Sequence, residues 1–312
     1  MTVRFVFPVS QVRMFRVRTV APRAKLTILP ACLLLLLCAG PRTHAQTPAQ
    51  PDASAPVRPG ARTTFMDLIK LVLPDADHDA GGITAHKTVE LRDLFASDEP
   101  GAYEGKLTLD NFDKLWLRDG AHTRLCLLLH LTGEGDLFTW GELNVMALYQ
   151  VEPQPRLLDV AAVQADRFAE FWSDQPLLAI GPQRDAAIIA NSHFNSTEGY
   201  LALTLVAAER DRLTAVYDRA AIVHTNQCNH SFQQTPAFAP LKQARGDHYP
   251  LRLSVKLRLG TDEQDCPHSR LRPTTRHYQA LLVWQPKKLK YVVRGNGLAP
   301  LEKFERRYIN QP

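Results

Sequence analysis

The residues best suited to chemistry in this 312-residue chain fall into three clusters and one charged tract. The richest cluster joins Cys228-Asn229-His230 to Cys266-Pro267-His268. Cys228, His230, Cys266 and His268 together offer two thiolates and two imidazoles, a sound tetrahedral set for zinc. The Cys-x-His spacing argues against it, because ligands so close on extended chain have little turn on which to converge. An oxidising compartment would also consume both thiolates. The expectation is therefore a Cys228–Cys266 disulfide and no metal. The bridge would close a loop of 38 residues, which the chain-entropy account values at about 3.8 kcal/mol. Cys126, within Leu125-Cys126-Leu127-Leu128-Leu129, reads as a small buried hydrophobe.

A second cluster, Asp75-Ala76-Asp77-His78-Asp79-Ala80-Gly81, places carboxylates at alternate positions as calcium loops do. It lacks the glycine directly after the third Asp, and His86 stands where a bidentate Glu would close the site. A solvated loop is the expectation. The third cluster, Asn191-Ser192-His193-Phe194-Asn195-Ser196-Thr197-Glu198, follows the apolar run Ala186–Ala190. Asn191, His193, Asn195 and Glu198 are the candidate ligand-binding residues, and His193 with Glu198 could do acid–base work. The competing explanation is a hairpin loop that uses Asn and Ser for its turn. The chain has no Gly-x-Ser-x-Gly elbow, no His-Glu-x-x-His and no phosphate-cradling glycine loop. No cofactor is expected.

The charged tract is the C-terminal third. Residues 241–312 hold 15 Lys/Arg against 6 Asp/Glu, whereas residues 46–240 hold 15 against 26. Arg270, Arg272, Arg276, Lys287, Lys288 and Lys290 are interleaved with Tyr278, Trp284 and Tyr291. Such a tract can steer an anionic partner, here an envelope polymer or a partner protein. Nucleic acid is not expected outside the cytoplasm.

The elements that must position these residues are mainly strands. Leu251, Leu253, Val255, Leu257 and Leu259 alternate with polar residues, the period of a half-buried strand. Leu125–Leu131 is almost wholly apolar, as a central strand would be. Further strands are expected at 143–151, 156–163, 177–181, 186–193, 199–208, 212–217, 219–225, 276–284 and 288–294. Three segments share a strand, a polar turn, a basic residue and spaced apolar residues, and read as β-hairpins: Tyr149 to Val160, Leu205 to Val216, and Leu281 to Val292. The fold class is mainly β, an antiparallel meander of hairpins packed as a propeller-like or sandwich domain. Short helices are expected at 64–73, where Phe65, Leu68, Ile69 and Val72 recur at helical spacing before Pro74, and at 298–308. Residues 75–120 are polar and carry no firm assignment.

The N-terminal 45 residues contain seven basic side chains and no acid, then the apolar run Leu26–Ala39 and Thr43-His44-Ala45. This is the layout of a cleavable signal peptide over 1–45. The run is too short for a membrane span and carries Pro30, so no transmembrane anchor is expected after processing. Met14 opens a more conventional signal than Met1, and neither Cys32 nor Cys38 has a good lipidation context. Removing 1–45 takes the net charge from +5 to −2. Residues 46–63, rich in Pro and Ala, are expected to be a disordered spacer, and 64–312 a single β-rich domain. The functional expectation is a periplasmic or secreted bacterial protein that acts as a non-catalytic binding or structural module. The alternative is a cell-envelope hydrolase with its site near His193 and Glu198.

Overall fold

The computed structural model describes residues 52–309 apart from 80–81, 96–99, 134–141, 164–167, 195–197, 228–229, 243–245 and 261–273. Among the described residues, helices α1 (Phe65–Val72) and α2 (Ala299–Ile309) bracket seventeen strands. The first half of the meander comprises β1 (Asp77–Asp79), β2 (Gly82–Ala85), β3 (Val89–Asp93), β4 (Pro100–Tyr103), β5 (Leu107–Asp119), β6 (His122–Gly133), β7 (Glu142–Gln150) and β8 (Arg156–Ala162). The second comprises β9 (Phe168–Phe171), β10 (Leu177–Gly181), β11 (Arg184–Phe194), β12 (Glu198–Glu209), β13 (Arg212–Gln227), β14 (His230–Pro240), β15 (Leu251–Gly260), β16 (Thr274–Gln285) and β17 (Lys290–Arg294). The protein is thus mainly β with two short helices. The three hairpins expected from the shared template are β7–β8, β12–β13 and β16–β17.

Each half curls. In the first, β5 to β8 pair in antiparallel order. Strand β2 then pairs with the free edge of β5, and β3 runs parallel to β8 at the opposite edge. Only residues 86–88 join β2 to β3, a gap of about 14 Å at most, so the four-strand sheet bends until one short segment bridges both its edges. Helix α1 packs on the inner face. Its Phe65, Leu68, Ile69 and Val72 share a core with Leu107, Phe112, Leu125, Leu127, Leu129, Val145 and Tyr149. Thr64 and Asp67 form a reciprocal capping box at its start. In the second half, β11 to β17 continue as antiparallel neighbours around a core that includes Ile188, Leu205, Val255, Leu282 and, from α2, Leu301.

A third apolar layer lies between the halves. Leu117, Cys126, Leu128, Met146 and Leu148 meet Ala187, Ile189, Val206 and Leu213 there. This explains the unbroken apolar runs. In β6, Leu125, Leu127 and Leu129 face the inner core while Cys126 and Leu128 face the shared layer, and β11 divides in the same way. Of the two packings the sequence leaves open, radial blades are not formed; the curled, continuous ladder suits a sandwich or a barrel-like fold.

Ion pairs stitch the halves together. Arg118 of β5 grips Asp185 of β11 through Nε (2.8 Å), Nη2 (2.7 Å) and its own backbone N–H (3.0 Å). Arg92 reaches both Asp159 (2.5 Å) and the Leu213 carbonyl (2.6 Å). The β12–β13 turn has positive φ at Arg210 and Asp211, the conformation of a two-residue hairpin that follows strand twist. It carries Asp211 to Arg124 of the other half at 2.6 Å.

Several elements differ from their expected form. Residues 75–120 contain five strands, the longest being β5, which periodicity misses because a bulge between Leu109 and Asn111 breaks the alternation. The expected strands 212–217 and 219–225 are one strand, β13. Strand β14 carries Pro236 and Pro240, which argue against a central strand. From Gln233 onward it is laddered only to β15, and a proline facing the other edge forfeits no ladder bond.

The segment expected to be a spacer also needs correction from residue 52 on. Ala53 and Val57 are buried in the first core. The backbone is tied down by Val57 N–H to Thr63 O (3.0 Å), Phe65 N–H to Ala55 O (3.1 Å) and Met66 N–H to Ala53 O (2.7 Å). The Arg58 guanidinium stacks 4.7 Å above the Trp116 ring. Composition misleads here because the slot between α1 and β5 needs only small apolar residues. Residues 1–51, with the expected signal, lie outside the described residues. Val57→Asp should destabilise the protein by about 2–4 kcal/mol, by burying an unpaired charge, whereas Pro59→Ala should be close to neutral. Urea unfolding midpoints will read both, and equal midpoints would return this segment to the status of a spacer.

Candidate functional site

The shared apolar layer ends at one rim, and four strands turn polar there at the same level. On β5 the face-sharing series Leu117, Leu115 gives way to Asp113 and Asn111. On β6, Cys126 and Leu128 are followed by His130; on β7, Leu148 and Met146 by Asn144; on β11, Ala187 and Ile189 by Asn191. Register makes this a row: Asn111 lies opposite His130, and His130 opposite Asn144. Strand β9 pairs with β11, Ala169 opposite Asn191, and walls off the near side. The result is a recess of about 360 Å³ lined by Asp110, Asp113, His130, Glu142, Asn144 and Glu170, with Phe168 at its lip.

His130 is held from both sides. Its Nδ1 lies 2.7 Å from Asn144 Oδ1 and its Nε2 lies 3.2 Å from an Asp113 carboxylate oxygen. Both partners accept, so the geometry suits an imidazolium donating from each nitrogen. Burial pulls its proton affinity down. The hydrogen bonds to Asp113 and Asn144, with the negative charges of Asp113 and Glu170, outweigh that and leave the pKa above the ordinary value. Thr132 Oγ1 donates to Asp110 at the rim, and Asn111 Oδ1 is buried without a hydrogen-bond partner. Phe168 is 49% exposed beside the carboxylates.

Of the residues chosen from sequence, Asn191 falls beside this recess. Asn191 is fully buried, and its Nδ2 donates to the Val163 carbonyl at 3.4 Å. Val163 N–H in turn donates to the Asn144 carbonyl at 2.9 Å. Asn191 therefore holds the back of the recess. His193 and Glu198 take strand backbone opposite Tyr200 and Thr225, but their side chains lie outside the described set, as does Asn195 altogether. The hairpin expected at this place is β11–β12. Cys228, Cys266 and His268 also lie outside the described residues, with the expected disulfide and the zinc alternative; of that set only the His230 backbone is described, at the start of β14.

The calcium-like segment is used otherwise. Asp75 Oδ2 accepts from His86 N–H (2.9 Å) and Lys87 N–H (3.0 Å), and Asp77–Asp79 is extended and paired with β2. Extended backbone does not wrap its oxygens around one ion as a calcium turn does. No group of three or more His, Cys, Asp or Glu suited to a metal occurs among the described residues. Cys126 is wholly buried, and burial pushes its thiol far above the ordinary range, consistent with an inert packing residue. His130, Asp113 and Asn144 escaped sequence reasoning. The available signal was a histidine and an asparagine ending two otherwise apolar runs, Leu125–Leu129 and Val145–Leu148.

The raised His130 pKa has a stability consequence with a definite sign. The folded state binds the proton more tightly than the unfolded state, whose value is near 6.5. The contribution is complete below about pH 6.5 and is lost as pH rises through the folded value. His130→Gln should therefore cost most stability at pH 5–6 and progressively less toward pH 9. Unfolding midpoints across that range check it, and a cost that grows with pH would show the opposite sign of shift.

Comparison with known protein families, with curated proteins and with solved structures yields no match to this chain.

Proposed function

We propose that the protein is an exported, non-catalytic binding module whose ligand seat is the recess around His130. The group it takes is a cation, an alkylammonium or guanidinium carried by a small molecule or an exposed side chain. The observation that carries this reading is the composition of one recess: Asp110, Asp113, Glu142 and Glu170 surround a single histidine, with the exposed Phe168 ring beside them. Carboxylates supply charge-assisted hydrogen bonds to such a cation, and an aromatic face adds attraction through its quadrupole. Binding is favoured over acid–base catalysis because both His130 nitrogens are already engaged by Asp113 and Asn144, leaving neither free to relay a proton. Export rests on the basic, then apolar, then small-residue order of positions 1–45, and places the module in the periplasm or outside the cell.

Calorimetry or fluorescence titration with linear diamines, lysine and arginine, against their N-acetylated counterparts, tests the reading. The cationic forms should bind and the acetylated forms should not. Glu170→Gln and Glu142→Gln should each weaken binding about tenfold or more, since a charge-assisted hydrogen bond contributes roughly 1.5–3 kcal/mol. Affinity should also rise with pH as His130 gives up its proton, because the recess becomes more negative. By reciprocity, bound ligand should lower the His130 pKa seen by NMR. Equal binding of parent and acetylated compounds, or a His130 titration indifferent to ligand, would overturn it.

A further inference from the structure

Strands β14 to β17 present a second surface, remote in character from the recess. Leu251, Leu253, Val255 and Leu257 face the second core, so the opposite face of this sheet is its solvent face. On β15 that face carries Arg252, Lys256 and Arg258, all exposed, with Ser254 among them. Register aligns Arg252 with Leu281 of β16, and Leu281 with Arg294 of β17. Lys290 follows on the same face, opposite Gln285. The β16–β17 turn adds Lys287 and Lys288, both exposed.

These cations trace a diagonal. Residues two apart on one face of a strand are separated by about 6.8 Å, and alternate strands by about 10 Å. From Arg258 through Lys256, Arg252 and Arg294 to Lys290 the track is therefore roughly 35 Å long, with a positive charge every 7 to 14 Å or so. No Asp or Glu occurs in β14, β15, β16 or β17. None of Arg252, Lys256, Arg258, Lys290 and Arg294 makes an ion pair among the described residues. Arginines elsewhere in the fold behave differently: Arg92, Arg118, Arg124, Arg184 and Arg219 each hold a carboxylate. A row of like charges on β15 and β17, with no ion pair among the described residues, costs stability through self-repulsion, which an anionic partner would relieve.

We infer that this face docks an extended acidic polysaccharide. Between the cations stand Gln233, Thr235, Ser254, Thr275 and Gln279, amides and hydroxyls suited to sugar hydroxyls. A shallow groove of about 230 Å³ beside Arg252, lined also by Leu241, Gln279 and Leu281, offers a seat for one ring of the chain. The aromatic residues Tyr278, Trp284 and Tyr291 belong to the core side of the sheet, so among the described residues the cationic face carries no Phe, Tyr or Trp on which the bases of single-stranded nucleic acid could stack. Among the described residues it also carries no exposed large apolar residue to enter a bilayer. The surface is independent of the recess, and either can fail without the other.

The test uses the mature protein with polygalacturonate as probe, dextran as the uncharged control, and single-stranded DNA and anionic phosphatidylglycerol vesicles as competing polyanions. The triple variant R252Q/K256Q/R258Q should bind polygalacturonate at least tenfold more weakly. The slope of log affinity against log salt should become shallower by about 2 to 3, the count of charges removed. R62Q/K70Q/K87Q, which removes the same charge from exposed positions off this face, should bind within twofold of the parent. E170Q, in the recess, should also leave polygalacturonate binding unchanged. Thermal unfolding of each variant confirms that folding is retained, as expected for solvent-facing positions. Equal loss in both triple variants would reduce the effect to net charge and overturn the inference. Tighter binding of DNA or vesicles than of polygalacturonate, lost in the on-face triple, would overturn the choice of occupant.

Discussion

The structure depends on burying both faces of the same strands. An antiparallel sheet can leave one face wet, but β5 to β8 and β11 to β13 each have a core on one side and the shared layer on the other. Three apolar layers therefore alternate with the two curled halves of one continuous sheet. Loss of the middle layer would expose one face of every central strand, so the halves stabilise each other and do not stand as separate domains. Helices α1 and α2 fill the concave sides, where curvature leaves room that flat sheet-on-sheet packing would not.

The candidate site follows from where that middle layer stops. An apolar seam between sheets must end at a rim, and backbone and side chains there need polar partners. At one rim the halves are joined by Arg118 on Asp185 and Arg124 on Asp211, and Arg184 links Asp119 to Glu209. At the other, Asp113, His130, Asn144 and Asn191 end the seam, but they surround a recess instead of closing it. The contrast is chemical: paired charges of opposite sign zip one end shut, while carboxylates gathered around His130 line the other.

Charge is distributed by the same logic. Several acidic residues of the first two-thirds, among them Asp119, Asp159, Asp185, Glu209 and Asp211, hold arginines that bridge elements, and Asp185 is buried in doing so. The C-terminal strands have no carboxylates to offer their own cations, which consequently face solvent. Glu305 of α2, bonded to Arg219 and Gln234, serves the core side of that sheet and not its outer face. The polarity counted along the sequence thus survives folding as a surface property.

How much was legible varied with the range of the interaction. Period-2 alternation identified β15, the long apolar runs identified β6 and β11, and helical spacing ending at Pro74 identified α1, because these signals are local and each residue reports its own face. A bulge hid β5, edge prolines hid β14, and small apolar residues hid the packed segment 53–63, since each depends on a neighbour elsewhere in the chain. Asn191 was chosen as part of a polar turn and proved to be a buried brace. The recess itself was invisible, because Asp113, His130, Asn144 and Glu170 come from four strands whose convergence is set by pairing register and by the packing of one sheet on another. The sequence by itself determined strand composition, element order and the uneven distribution of charge. Tertiary structure alone decided which polar residues would share a cavity, because side chains dozens of residues apart meet only when long-range burial has chosen their registers.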